Sequence, residues 1–218
     1  MPYAFLSYQT NDKLVAGQIK SLLFKVNIEA FMAHEDISVS EEWRLKILEE
    51  ITKADIFICL LSKSYIDSIW CLQESGIAAL RKKMTVIPLS LDGTIPPGFI
   101  GNVQSAKIDP SHVFLDDLIP GFLKHDLTWG LDIAVDWLGQ SSSYRGAEER
   151  FQTILPYLQK MTDAQIKRLL EVTAQNNQIH HASRCATKFI PPLLQSFGHL
   201  LAPETLSFLN SICDRYAG

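Results

Sequence analysis

The sequence lacks the signatures of the commonest nucleotide-binding and hydrolytic enzymes. No G-x-G-x-x-G follows its first apolar run and no G-x-x-x-x-G-K-[ST] occurs anywhere, which excludes a Rossmann dinucleotide turn and a P-loop. H-E-x-x-H and G-x-S-x-G are absent too, removing a zincin site and a nucleophile elbow. The four cysteines (Cys59, Cys71, Cys185, Cys213) have neither C-x-x-C nor Cys/His ligand spacing, so a structural zinc has no ligand set. No stretch reaches the ~18 consecutive apolar residues of a membrane helix. The segment from Met1 to Ser7 also lacks the basic start and long apolar core of a signal peptide. A reducing cytoplasm is the expected location. A large charge excess is missing as well: the net charge of −4 leaves no bulk footprint for nucleic acid or an anionic membrane. Apolar residues at 47% and charged residues at 20% are ordinary for soluble globular chains and exclude disorder or a rod.

What is present is an alternation of short apolar runs and helical periodicity. At 218 residues, against about 150 per domain, one ordinary domain plus a small appendage is expected. Strands are expected at Tyr3 to Tyr8, Ile28 to Met32, Asp55 to Leu61, Thr85 to Leu91 and Ala106 to Ile108. Helices are expected after Asn11 or Asp12, around Trp43 to Ile51, from Ile69 to Lys83 and from Leu127 to Leu138. Strands alternating with helices predict an α/β unit with a central parallel sheet, and Asp55 to Leu61 reads as its buried centre. The uncharged Gly139-Gln140-Ser141-Ser142-Ser143 marks the expected boundary. The expected organisation is an α/β domain at 1–140, a linker at 141–146 and an all-α domain at 147–218. Within the last, Thr162 and Gln165 match a capping box, Pro203 suits the first turn of the final helix, and Pro191-Pro192 interrupts a helix expected over Ile179 to Leu200.

Ligands of open parallel sheets bind beyond the carboxyl ends of the strands, where strand order reverses. That selects Tyr8 to Asp12, His34 to Ser40, Ser62 to Glu74 and Asp92 to Phe99. Within them, Trp70 and Glu74 are four apart at a helix start and project from one face. A carboxylate sheltered by a large aromatic is a candidate for a raised pKa. Spacing alone favours a core tryptophan and a glutamate complementing the helix dipole. Cys59 and Cys71 read as buried thiols.

Together these segments resemble a TIR domain over about residues 3 to 140. The likeness is carried by AFLSYQTND (Ala4 to Asp12), FMAHEDISVSEEW (Phe31 to Trp43), KADIFICLLSKSYIDSIWCLQE (Lys53 to Glu74) and VIPLSLDG (Val86 to Gly93), in the family's order. The resemblance implies a flavodoxin-like sheet flanked by helices, followed here by the small helical domain. It also implies cleavage of NAD+ at the nicotinamide glycosidic bond, since the family's catalytic glutamate ends a W-x-x-x-E motif matched by Trp70 and Glu74. By position it adds Tyr8, Gln9, Thr10, Glu35, Trp43 and Trp70 as substrate-binding residues. The family's usual glycine before the second-loop tryptophan is replaced, Val39-Ser40 standing there. NAD+ is then substrate, and no cofactor or metal is expected. Implied partners are further copies of the chain through TIR–TIR contacts and an upstream sensor or downstream effector, in the manner of bacterial anti-phage proteins that make ADP-ribose or a cyclic isomer. A non-catalytic scaffold and a host-mimicking effector are the alternatives.

Overall fold

The computed structural model describes residues 2–32 and 42–217. Among the described residues, five strands form a parallel sheet in the order β2-β1-β3-β4-β5. They are β1 (Tyr3–Ser7), β2 (Glu29–Met32), β3 (Ile56–Leu61), β4 (Thr85–Ser90) and β5 (Ala106–Lys107). All six residues of β3 are buried, as its unbroken apolar run requires of a strand covered on both faces. From β1 the chain builds outward to β2 on one side and to β3, β4 and β5 on the other. The order therefore reverses between β1 and β3. Their carboxyl ends form the crevice in which such sheets hold ligands.

Helix α1 (Lys13–Lys25) buries Val15, Ala16, Ile19 and Leu23 at helical spacing. It ends where Asn27 takes a left-handed φ of 59°. Ile28 N–H then reaches the Leu23 carbonyl at 2.9 Å and Asn27 N–H the Phe24 carbonyl at 3.1 Å, a Schellman turn that feeds directly into β2. Helices α2 (Trp43–Lys53) and α4 (Ile69–Leu80) follow, with the single turn α3 (Lys63–Ile66) between β3 and α4. Ile47 and Ile51 of α2 and Cys71 and Ala78 of α4 share one apolar cluster with Phe5, Phe31 and Phe57. Arg81 ties the two helices together by donating to the Ile51 and Ala54 carbonyls at 2.7 and 2.5 Å, where the end of α2 favours a cation. The α/β unit closes with α5 (Ile119–His125).

The chain divides into compact units at His125/Asp126, fifteen residues before the expected boundary at 140. Helix α6 (Leu127–Gly139) begins at Asp126, which caps it by accepting from Trp129 N–H at 2.9 Å. Its polar groups bond to α8 (Asp163–Gln175) and the residue after it. Gln165 donates to Thr128 O and to Asp132 at 2.9 and 2.7 Å, and Asn176 donates to the Gly139 and Ser141 carbonyls at 2.8 and 2.9 Å. At Gly139 an added Cβ would lie 3.2 Å from Val172, so the missing side chain permits the close approach of α6 and α8. Where a linker is expected at 141–146, residues 141–143 make a short junction and 144–146 already belong to the next helix. Ser141 is buried with its hydroxyl on Leu138 O, and Ser143 caps α7 (Tyr144–Ile154). The capping box at Thr162/Gln165 is present. The helix expected over Ile179 to Leu200 is divided into α9 (Asn177–His180), a π turn (Cys185–Phe189) and α10 (Ile190–Phe197), which carries Pro191 and Pro192 in its first turn. Helix α11 (Pro203–Ala217) completes the unit. Among the described residues no helix is long and apolar enough to cross a membrane.

Candidate active site

The site is assembled at the carboxyl ends of β1 and β3. Beyond β1, Gln9 accepts from Asn11 N–H at 2.6 Å and holds a short 3-10 turn (Thr10–Asp12). Beyond β3, Ser62 caps α3 through Tyr65 N–H and donates to Asp12 at 2.7 Å, fixing one loop against the other. Ser68 caps α4, which sets the direction of the helix that carries Trp70 and Glu74.

Cys71, Glu74, Ser75 and Ala78 form the buried stripe of α4, so Glu74 enters the interior with Ser75 as its polar neighbour on that face. It is 8% exposed. Ser7, the last residue of β1, donates its hydroxyl to Glu74 Oε2 at 2.5 Å. The same hydroxyl lies 2.9 Å from the Tyr65 hydroxyl, which lies 2.8 Å from that of Ser75. An ionised carboxylate only accepts, so it directs the chain: Ser75 to Tyr65, Tyr65 to Ser7, Ser7 to Glu74. Burial pushes the Glu74 pKa up to about 7, and the Ser7 hydrogen bond opposes that rise in part. Burial also holds the Cys71 thiol up at about 11, which makes it a poor nucleophile at neutral pH.

Glu74 opens onto a cleft of about 550 Å³. Tyr8, Gln9, Thr10, Trp43, Trp70 and Glu74, six of the residues selected in the sequence, line it together with Leu6, Ile47, Ser68 and Cys71. The seventh, Glu35, lies outside the described residues, as does most of the loop that precedes Trp43. Trp70 is 43% exposed, so it is a wall residue and not core. Its ring meets that of Trp43 edge-on, with centroids 4.5 Å apart and planes at 72°. Glu74 stands in the second turn of α4, beyond the short reach of helix-terminus charge, which disfavours a purely dipolar role.

Ser7, Tyr65 and Ser75 were not distinguished in the sequence. The only signal was Ser7 closing the first apolar run; Tyr65 and Ser75 stand inside α3 and α4. Among the described residues, no group of three or more His, Cys, Asp and Glu is placed to hold a metal ion. The helical unit has its own open depression of about 680 Å³, where Arg168 is already paired to Asp136 at 2.6 Å.

The sequence model of the TIR domain family matches residues 4–117. No curated protein matches the chain. Among solved structures, the TIR domain of the Toll-related receptor TRR-2 from Hydra magnipapillata is 16% identical with a TM-score of 0.43, covering 48% of this chain and 82% of that one. The family match takes in the strands, the crevice and Glu74, more than half of the chain, and the protein belongs to the TIR domain family.

Proposed function

We propose that the protein cleaves NAD+ at the bond between ribose C1′ and the nicotinamide nitrogen. The observation that carries this is Glu74: a buried carboxyl with a pKa of about 7, hydrogen-bonded by Ser7 and facing a cleft walled by Trp43 and Trp70. As the C1′–N bond breaks, its electron pair leaves with neutral nicotinamide and the ribose takes on oxocarbenium character. A fixed, ionised Glu74 stabilises that charge where little water competes. The indoles offer faces for the cationic pyridinium. Attack by water on C1′ gives ADP-ribose and releases one proton. Attack by the substrate's own adenine or ribose gives a cyclic isomer, an outcome that exclusion of water favours.

Self-association is part of this proposal, with residues 126–218 organising assembly or receiving an upstream signal in an antiviral setting. A non-catalytic scaffold is the competing reading. Purified protein incubated with NAD+ should release nicotinamide, and Glu74→Gln should lower the rate at least a hundredfold. No release in any assembled state, or an undiminished rate in Glu74→Gln, rejects the enzyme in favour of the scaffold.

A further inference from the structure

A nicotinamide dinucleotide brings two phosphates, and among the described residues the lining of the cleft offers them no countercharge. Among the described residues, that lining contains one carboxylate, Glu74, and no Lys, Arg or His. A diphosphate entering beside a lone carboxylate is repelled unless a cation stands close by. A cation stands on the aromatic wall. The Arg44 guanidinium lies 5.5 Å from the Trp43 ring centroid and 5.5 Å from that of Trp70. Arg44 is solvent-exposed and is engaged by these two ring contacts. Nearby Lys46 and Lys53 differ, since both bridge to Glu50 at 3.0 and 3.3 Å.

We propose that Arg44 is the diphosphate-binding residue of this cleft and sets its preference for a dinucleotide over a phosphate-free nicotinamide riboside. The inference rests on the NAD+ reading above and names a group that reading leaves out. Contact with two indoles holds the guanidinium at the wall without using its N–H donors, so the fork stays available to phosphate oxygens. The position also explains why a cation sits on the wall and not beneath it. A cation among the lining residues would pair with Glu74 and depress its pKa, whereas one at the wall can serve the phosphates of a substrate whose ribose reaches the carboxylate.

The test uses the full chain and two readouts. Binding of NAD+ and of nicotinamide riboside is measured by calorimetry in the Glu74→Gln background with Arg44 intact, as Arg44→Gln and as Arg44→Lys. Nicotinamide release from both ligands is measured with Glu74 present. The expected result is a fall of at least tenfold in the affinity ratio of NAD+ over riboside in Arg44→Gln, partly recovered in Arg44→Lys and weakened by added salt. Parallel losses for both ligands would reduce Arg44 to a packing partner of the tryptophans and overturn the proposal. So would an unchanged ratio, or no NAD+ binding with Arg44 intact. Arg44-dependent NAD+ binding without nicotinamide release would uphold Arg44 and reject the enzyme. Release that ignores Arg44 would do the reverse.

Discussion

Ser7 donates to Glu74 at 2.5 Å, joining the last residue of β1 to the second turn of α4. This bond opposes burial. Desolvation drives the Glu74 carboxyl toward its neutral form, and the hydroxyl favours the anion. A carboxyl balanced at about 7 is both chemically useful and unfavourable for folding.

The unfavourable part has a defined pH window. The Glu74 pKa is about 7 in the folded chain against an ordinary 4.5, so the folded state binds the proton more tightly. Its stabilising contribution is complete below about 4.5 and is lost as pH rises through about 7. Glu74→Gln removes that dependence. Denaturant melts should show the variant more stable than the parent at pH 8, by up to roughly 3 kcal/mol. The gap should close toward pH 5. A constant gap across that range would show that Glu74 does not titrate as its burial requires.

Replacing Ser7 by Ala removes the bond that favours the anion, so the Glu74 pKa should rise further. The acid limb of kcat/KM for nicotinamide release, near pH 7 in the parent, should move to higher pH. The rate should drop several-fold at pH 6.5 and largely recover at pH 9. A loss that is uniform with pH would mean that Ser7 only supports the fold.

Trp70 serves the cleft more than the core. Trp70→Ala removes a wall and one aromatic pair, worth about 0.5–1.5 kcal/mol, so its thermal midpoint should fall by only a few degrees. KM for NAD+ should rise at least tenfold, and Trp70→Phe should restore most of that. If melting collapses while KM holds, Trp70 is a packing residue after all.

The sheet was legible because β3 needs an unbroken apolar run to be buried on both faces, and the sequence supplies one from Ile56 to Leu61. The Trp70/Glu74 pair was legible because one helical turn joins its members. The hydroxyl relay was not. Ser7 and Tyr65 stand 58 residues apart, and only the β1–β3 pairing and the α3 turn bring them together. The division at His125/Asp126 was not legible because Gly139 to Ser143 has the composition of a linker. Their chemistry in place is different: Gly139 admits Val172, while the hydroxyls of Ser141 and Ser143 close one helix and open the next. Small residues serve tight junctions as readily as loose ones.

That junction gives the last prediction. Helix α6 buries Leu131, Ala134, Val135 and Leu138, and its hydrogen bonds to Gln165 and Asn176 lie within the helical unit. A fragment ending at 125 should therefore be soluble, monodisperse and cooperatively unfolding, with all five strands intact. A fragment ending at 140 carries α6 without α8, leaving its apolar face and the groups that Gln165 and Asn176 satisfy exposed to water. It should self-associate or expose dye-binding surface, although it is fifteen residues longer. Light scattering and chemical denaturation of the two fragments distinguish the cases. Equal behaviour, or a better-folded 1–140, would return α6 to the TIR unit.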